Sequence, residues 1–402
     1  MSNIPVIDFQ CLPSYKRTGK SGSHGHIVVF EATGVIGKIV EKSSRGIPYE
    51  FIMEIVARDR CGNDPSVNFI VPALQIFNTP KVLAFTMPNM KSGDLFSLIE
   101  RVSKGITAPP PMDVVYNIIR DFVTAVCLMH CNGMMHRDIK DANVLLKDDG
   151  QGSLLCDFSL ATVLQHECGD PFVPYTKGYR PPEIMRYARH KEMQLDFFAS
   201  DIYAAGAIAA KFLMTVSKEW FMYDTVPCIN DMLESKSISD NTKNMLEWMM
   251  QTSPHNRPTA KQVLENMVWM RPEGFSLPAP FSPRLIPPVS DDISFVVQRY
   301  GMGKNAATLA ADIYSTIKDT PEMMGKKKVL LCVALAIKMC EALDERDTLP
   351  ESFFSGNVIP NFVEVVIHNP ETISALHRCI DNCQNLSSAI GQTPSGKNNV
   401  DQ

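Results

Sequence analysis

The run His136-Arg137-Asp138-Ile139-Lys140-Asp141-Ala142-Asn143 is followed, a short apolar stretch later, by Asp157-Phe158-Ser159. These residue types at this spacing suit the transfer of a phosphoryl group. Asp138 is a carboxylate able to take the proton of an attacking hydroxyl, and Lys140, two residues on, offsets charge on a transferring phosphate. Asn143 and Asp157 supply the hard oxygen donors that Mg²⁺ accepts beside phosphates. A His-Arg-Asp triplet alone recurs by chance in many chains, so the weight rests on what accompanies it.

Further segments follow in order. Tyr179-Arg180-Pro181-Pro182-Glu183 has the shape of the motif that closes an activation segment, Asp201-Ile202-Tyr203-Ala204-Ala205-Gly206 that of the start of a large buried helix, and Asn256-Arg257-Pro258-Thr259-Ala260 that of an arginine-bearing turn. With these the chain resembles the eukaryotic-like protein kinases from Gly22 to Arg257. Lys140 two residues after Asp138 resembles the serine/threonine class, and Tyr179-Arg180 before Pro-Pro-Glu resembles the cyclin-dependent and related kinases. The resemblance implies a bilobal α+β protein kinase fold, ATP and Mg²⁺ as cofactors, and protein substrates.

It also implies a nucleotide site. Gly22-Ser23-His24-Gly25, then His26-Ile27, resembles the second half of the kinase glycine-rich loop, whose bare backbone lets amides approach the ATP phosphates. Gly22, Gly25 and Ile27 are its expected binding residues. Gly19 stands three residues before Gly22 where the family uses two, so the loop carries one extra residue or uses Lys20 there. The lysine gripping the α- and β-phosphates is expected at Lys38, with Lys42 as the rival. Its ion-pair partner resembles Glu54, sixteen residues from Lys38 and twelve from Lys42, and the longer gap suits a strand-to-helix crossover. Phe85-Thr86-Met87-Pro88-Asn89-Met90 resembles the hinge, with Met87 as gatekeeper and adenine contacts at the Met90 backbone. Asp94 is placed to reach the ribose or to cap the next helix, and the two are compatible.

Four residues depart from the pattern. Ser159 stands where the family has glycine, which restricts positive-φ conformers while Asp157 keeps its carboxylate. Pro171 occupies the position of a phosphorylatable threonine five residues before Thr176. Arg137 is then expected to pair with Asp170 or Glu167 instead of a phosphate. Lys177-Gly178 replaces the apolar bulk that shapes a pocket for substrate proline, so proline-directed specificity is not expected.

For these groups to meet, a β-rich lobe must carry Lys38 and Glu54 and a helical lobe must carry Asp138 to Asp157. Apolar runs Ile27 to Phe30 and Val35 to Val40 flank Thr33-Gly34, which is hairpin chemistry. A helix is expected from Pro48 to Asp59, with Phe51, Ile52, Ile55 and Val56 as its stripe, then strands from Phe69 to Phe77 and Lys81 to Met87. Helical periodicity follows, as in Val114 to His130.

The 402 residues, 45% hydrophobic, exceed one typical domain. The expected division is an N-terminal extension (1–14), a kinase domain (15–270), a Pro-rich linker (271–290), a helical domain (291–386) and a disordered tail (387–402). A net charge of −5 gives no basic field for nucleic acid, and Lys326-Lys327-Lys328 reads as a solvated helix start. The first ten residues lack a signal-peptide pattern, and no apolar run approaches about 18 residues. No membrane partner is expected, and the protein is placed inside the cell, in the cytoplasm, nucleus or both. Eleven Cys without paired C-x-x-C spacing fit free thiols in a reducing compartment better than zinc or disulfides.

Beyond the linker, Lys328 to Lys338 is an apolar helix bracketed by lysines, preceded by another at Ala306 to Ile317. This resembles a cyclin box, although any all-α bundle has such a core helix. A kinase joined to its own cyclin-like activator resembles chains of large DNA viruses, in which case the compartment is a host cell. The expectation is therefore an ATP-dependent serine/threonine protein kinase, regulated in cis by this module or by a separate cyclin. A pseudokinase scaffold, suggested by Ser159 and the irregular glycine loop, is the alternative. A small-molecule kinase fits less well, because Thr176 and the Pro-Pro-Glu segment form a polypeptide docking platform.

Overall fold

The computed structural model describes residues 6–8, 12–22, 25–42, 48–61, 69–162, 176–187 and 195–266, together with Ala310 and Cys332. The small lobe is a six-stranded sheet: β1 (Val6–Asp8), β2 (Tyr15–Gly22), β3 (Gly25–Phe30), β4 (Ile36–Glu41), β5 (Gln75–Asn78) and β6 (Val82–Met87), in spatial order β1-β5-β6-β4-β3-β2. One helix, α1 (Tyr49–Cys61), packs on it. Alternation along the strands divides the apolar residues between two faces. Val28, Phe30, Ile39, Phe77 and Ala84 form one cluster, while Val40, Ile76, Leu83 and Phe85 join Phe51, Ile52, Ile55 and Val56 of α1 in the main core. The predicted hairpin and helix are present, α1 beginning just after Pro48 and running two residues past Asp59.

Two features of this lobe differ from the sequence expectation. The strand expected over Phe69 to Phe77 is only Gln75–Asn78, because the preceding residues turn to the other lobe: Leu155 N donates to Phe69 O and Val71 N to Leu155 O. In addition, β1, inside the stretch 1–14, pairs in parallel with β5, with Ile7 opposite Phe77.

The large lobe is built from α2 (Leu95–Ser103), α3 (Met112–Cys131), a hairpin of β7 (Val144–Leu146) and β8 (Ser153–Leu155), α4 (Pro182–Tyr187), α5 (Phe197–Val216), α6 (Ile229–Glu234), α7 (Asp240–Met249) and α8 (Ala260–Asn266). Asp94, Asp196 and Ser239 cap α2, α5 and α7, each accepting a backbone N–H with its side-chain oxygen. Nearly all of α5 is buried. It approaches α7 so closely that a Cβ at Gly206 would lie 2.9 Å from the Met249 Cβ. Contrary to the sequence expectation, α3 and α5 are each long and apolar enough to cross a membrane by length and composition, but both lie mostly buried inside the fold. The linker, the helical domain and the tail expected beyond residue 270 lie outside the described residues, Ala310 and Cys332 excepted.

Candidate active site

The loop between α3 and β7 is fixed from below by α5. Asp201 accepts the backbone N–H of His136 at 2.7 Å on Oδ2 and of Arg137 at 2.9 Å on Oδ1, and His130 Nε2 lies 3.1 Å from Oδ2. Arg137 adopts φ 67°, a left-handed conformation that this double anchor supports. Asp138 therefore emerges with both oxygens directed. Thr176 Oγ1 donates to Oδ1 at 2.6 Å, and Lys140 Nζ lies 2.5 Å from Oδ2. Asn143 Nδ2 donates to the Asp138 carbonyl at 2.8 Å, which leaves its amide oxygen as the group available to a cation. Three residues past Asp138, Asp141 turns inward to Lys211 of α5 at 2.7 Å.

The hairpin β7–β8 returns the chain to this loop and delivers Asp157, at φ 63°. Lys38 reaches across from the middle of β4, with Nζ 2.5 Å from Glu54 Oε1 and 2.7 Å from Asp157 Oδ1. Burial by itself would lower the Lys38 pKa, but the Glu54 and Asp157 carboxylates outweigh it and hold the ammonium well above its usual range. For Asp157 burial would act upward. The Lys38 charge, its hydrogen bond and that of Ser159 prevail and keep the carboxyl well below its usual range. Ser159, at an ordinary negative φ, donates its hydroxyl to Asp157 Oδ1 at 2.8 Å. Both bonds fall on Oδ1, so Oδ2 remains for a metal. An ionised carboxylate and an amide oxygen are the hard donors that Mg²⁺ takes alongside phosphate, so Asp157 and Asn143 fit that ion.

Lys38, not Lys42, is the lysine of the site, since the Lys42 Nζ instead bonds Asn78 Oδ1 at 2.6 Å. In the glycine-rich hairpin β2 ends at Gly22, β3 starts at Gly25, and Ile27 lies opposite Lys38. The irregular spacing around Gly19 becomes a bulge: the register shifts between Arg17 and Ser21. Gly25 has φ 142°, and a Cβ there would lie 2.7 Å from the Ile39 carbonyl oxygen, so only glycine fits. Met87 ends β6 buried, Met90 is half-buried against the core, and Asp94 caps α2 with Oδ1 accepting from Ser97 N at 2.8 Å. Pro171, Glu167 and Asp170 lie outside the described residues.

Sequence reasoning missed two buried cations. Arg58, one turn beyond Glu54, carries its guanidinium into the core, and Lys211 lies in an otherwise apolar helix. For Lys211 the available signal was the one cation in a long apolar pattern, whereas Arg58, followed by Asp59 and Arg60, offered only its position one turn beyond Glu54. Glu183 of the Pro-Pro-Glu run forms a two-pronged ion pair with Arg257, at 2.6 and 2.7 Å, which joins the two late motifs.

A sheet lobe presenting a paired lysine to a loop-borne aspartate, lysine and asparagine in a helical lobe defines a phosphotransferase-type fold. A family model described as protein kinase domain matches residues 22–270, more than half of the chain, and the chain belongs to that family. Ribosomal protein S6 kinase alpha-6 of Danio rerio is 28% identical over 250 residues, 57% of this chain and 30% of that relative. The corresponding protein of Homo sapiens is 28% identical over 251 residues, with the same coverage. Serine/threonine-protein kinase 33 of Bos taurus is 26% identical over 227 residues, 50% of this chain and 43% of that relative. The chain thus matches less than half the length of these relatives, all named as kinases. They correct the likeness to cyclin-dependent kinases drawn from Tyr179-Arg180.

Proposed function

We propose that this protein is a serine/threonine protein kinase that transfers the γ-phosphate of ATP, with Mg²⁺, to hydroxyls of protein substrates. The observation that carries the reading is the convergence of Asp138, Lys140 and Thr176 within hydrogen-bond reach on one side, with Lys38, Glu54 and Asp157 linked in series on the other. Bound ATP with Mg²⁺ would supply the phosphoryl donor and its charge neutralisation. Asp138 accepts the proton of the acceptor hydroxyl as its oxygen attacks, and Thr176 and Lys140 keep that carboxylate oriented. Lys140 then faces charge developing on the transferred group, while Lys38, held by Glu54, orients the phosphates. Asn143 and Asp157 would hold the metal, Gly22, Gly25 and Ile27 would cover the phosphates, and Met87, Met90 and Asp94 would line the adenosine.

Radiolabelled phosphate transfer to a generic protein acceptor tests the reading. Intact protein is expected to label it and Asp138→Asn to lose turnover while ATP affinity stays within about threefold, because this carboxylate faces the acceptor. No transfer by intact protein would leave a nucleotide-binding scaffold. We further propose that the segment beyond the kinase domain packs on it in cis. Ala310 and Cys332 are both fully buried and belong to the same apolar cluster as the kinase core, which supports this. The six free cysteines among the described residues agree with work in a reducing, intracellular compartment.

A further inference from the structure

Arg58 stands one turn beyond Glu54 on α1, with its side chain 1% exposed. Its Nη1 donates to Glu54 Oε2 and, at 2.9 Å, to the Glu54 carbonyl. The guanidinium carbon lies 4.5 Å from the ring centre of Phe85 on β6 and 4.9 Å from that of Phe158. Phe158 N donates to the same Glu54 Oε2 at 3.1 Å. One planar cation thus touches the helix, the central strand and the residue next to Asp157. Among the described residues the Nε–H of Arg58 has no partner, and an apolar side chain between two phenyl rings would avoid that cost. Packing alone does not account for an arginine here.

Charge counting shows what the arginine adds. Lys38 and Arg58 face Glu54 and Asp157, two cations against two anions. Without Arg58 the two carboxylates compete for one ammonium, and Glu54 Oε2 keeps only the Phe158 N–H of these bonds. Asp157, whose side chain is 33% exposed, is the partner able to move into water.

We infer that Arg58 is a positioning residue for phosphoryl transfer: through Glu54 and Phe158 it holds Lys38 and Asp157 together, so α1 keeps its working placement by contacts within the kinase domain. This rests on the kinase reading above. A lysine does not substitute, because a point charge cannot bond Glu54 and stack on two rings together.

The test uses the full chain as wild type, Arg58→Met, Arg58→Lys, Glu54→Gln and the Glu54→Gln/Arg58→Met double variant. Both single Arg58 variants are expected to lower kcat by about tenfold or more. In the Glu54→Gln background Arg58→Met is expected to change kcat by less than about threefold, because the two act as a unit. Amide hydrogen exchange in Arg58→Met is expected to quicken at α1 and around Phe158 but not in α5. Either single variant at the wild-type rate, or losses that multiply in the double variant, overturns the inference. Should Arg58→Met not fold, Arg58→Lys carries the same comparison. Should intact protein transfer no phosphate, the kinase reading fails, and exchange alone decides: unchanged protection at Phe158 in the Arg58 variant refutes the role of Arg58.

Discussion

Replacing Lys211 by Met isolates one charge at the centre of the large lobe. The Lys211 side chain is 1% exposed and that of Asp141 4%, their charged atoms 2.7 Å apart, and the ammonium also donates to Tyr179 Oη at 3.0 Å. Burial and the neighbouring Asp141 hold the Tyr179 phenol well above its usual pKa, so it stays neutral and adds no second anion beside Asp141. Methionine preserves most of the stem, whereas it is the Nζ that lies 5.5 Å from the ring centre of Phe96 and 5.6 Å from that of Tyr179. What disappears is the ammonium, leaving Asp141 as a buried, uncompensated anion, which costs about 3–5 kcal/mol. For a domain of this size, roughly 2–4 °C of Tm accompanies each kcal/mol, so Tm should fall by about 6–20 °C. Adding Asp141→Asn removes the stranded charge and should recover more than half of the loss. Thermal unfolding of wild type and the two variants by circular dichroism measures this. A single variant within about 2 °C of wild type, or a double variant as unstable as the single one, would refute the reasoning.

The metal side of the site gives two further predictions. On the proposed function, Asp157→Ala should weaken ATP binding by about tenfold or more when Mg²⁺ is present and much less when it is chelated, because the lost group is the proposed cation ligand. Calorimetric titration with and without chelator checks this, and equal affinities with Mg²⁺ would show Asp157 to be structural. Ser159→Ala deletes a hydrogen bond to a charged carboxylate and should destabilise by about 1.5 kcal/mol, the low end for such bonds given the partial exposure of Asp157. A denaturant midpoint equal to that of wild type would mean that the hydroxyl contributes nothing.

Much of this site was legible because phosphoryl transfer restricts both residue type and order. Asp138, Lys140, Asn143 and Asp157 lie in two short segments whose residue types, together with the later motifs, carried the resemblance to a kinase core. The choice of Lys38 over Lys42 followed from the crossover length to Glu54, and the structure shows the reason: Lys42 lies past the end of β4 and bonds Asn78. What stayed hidden depends on contacts across the chain. Nothing local to Asp141 announces that it will meet Lys211, seventy residues on. The stretch Phe69 to Leu74 is apolar enough for a strand but bonds Leu155 of the other lobe, a tertiary choice that overrides β propensity. Likewise Val6–Asp8 is too short for its pattern to reveal a strand, and only β5 defines it.

The family match begins at residue 22, yet the sheet begins earlier. β1 covers the outer side of β5 and β2 covers the outer side of β3, one at each end of the sheet. A fragment trimmed to the matched residues would lose both covers at once. Two rows of unpaired N–H and C=O groups would then face water, each a template for a strand from another copy. Clumping of such a fragment would report missing borders and say nothing against the fold; the natural unit for recombinant work on this kinase domain starts ahead of Val6.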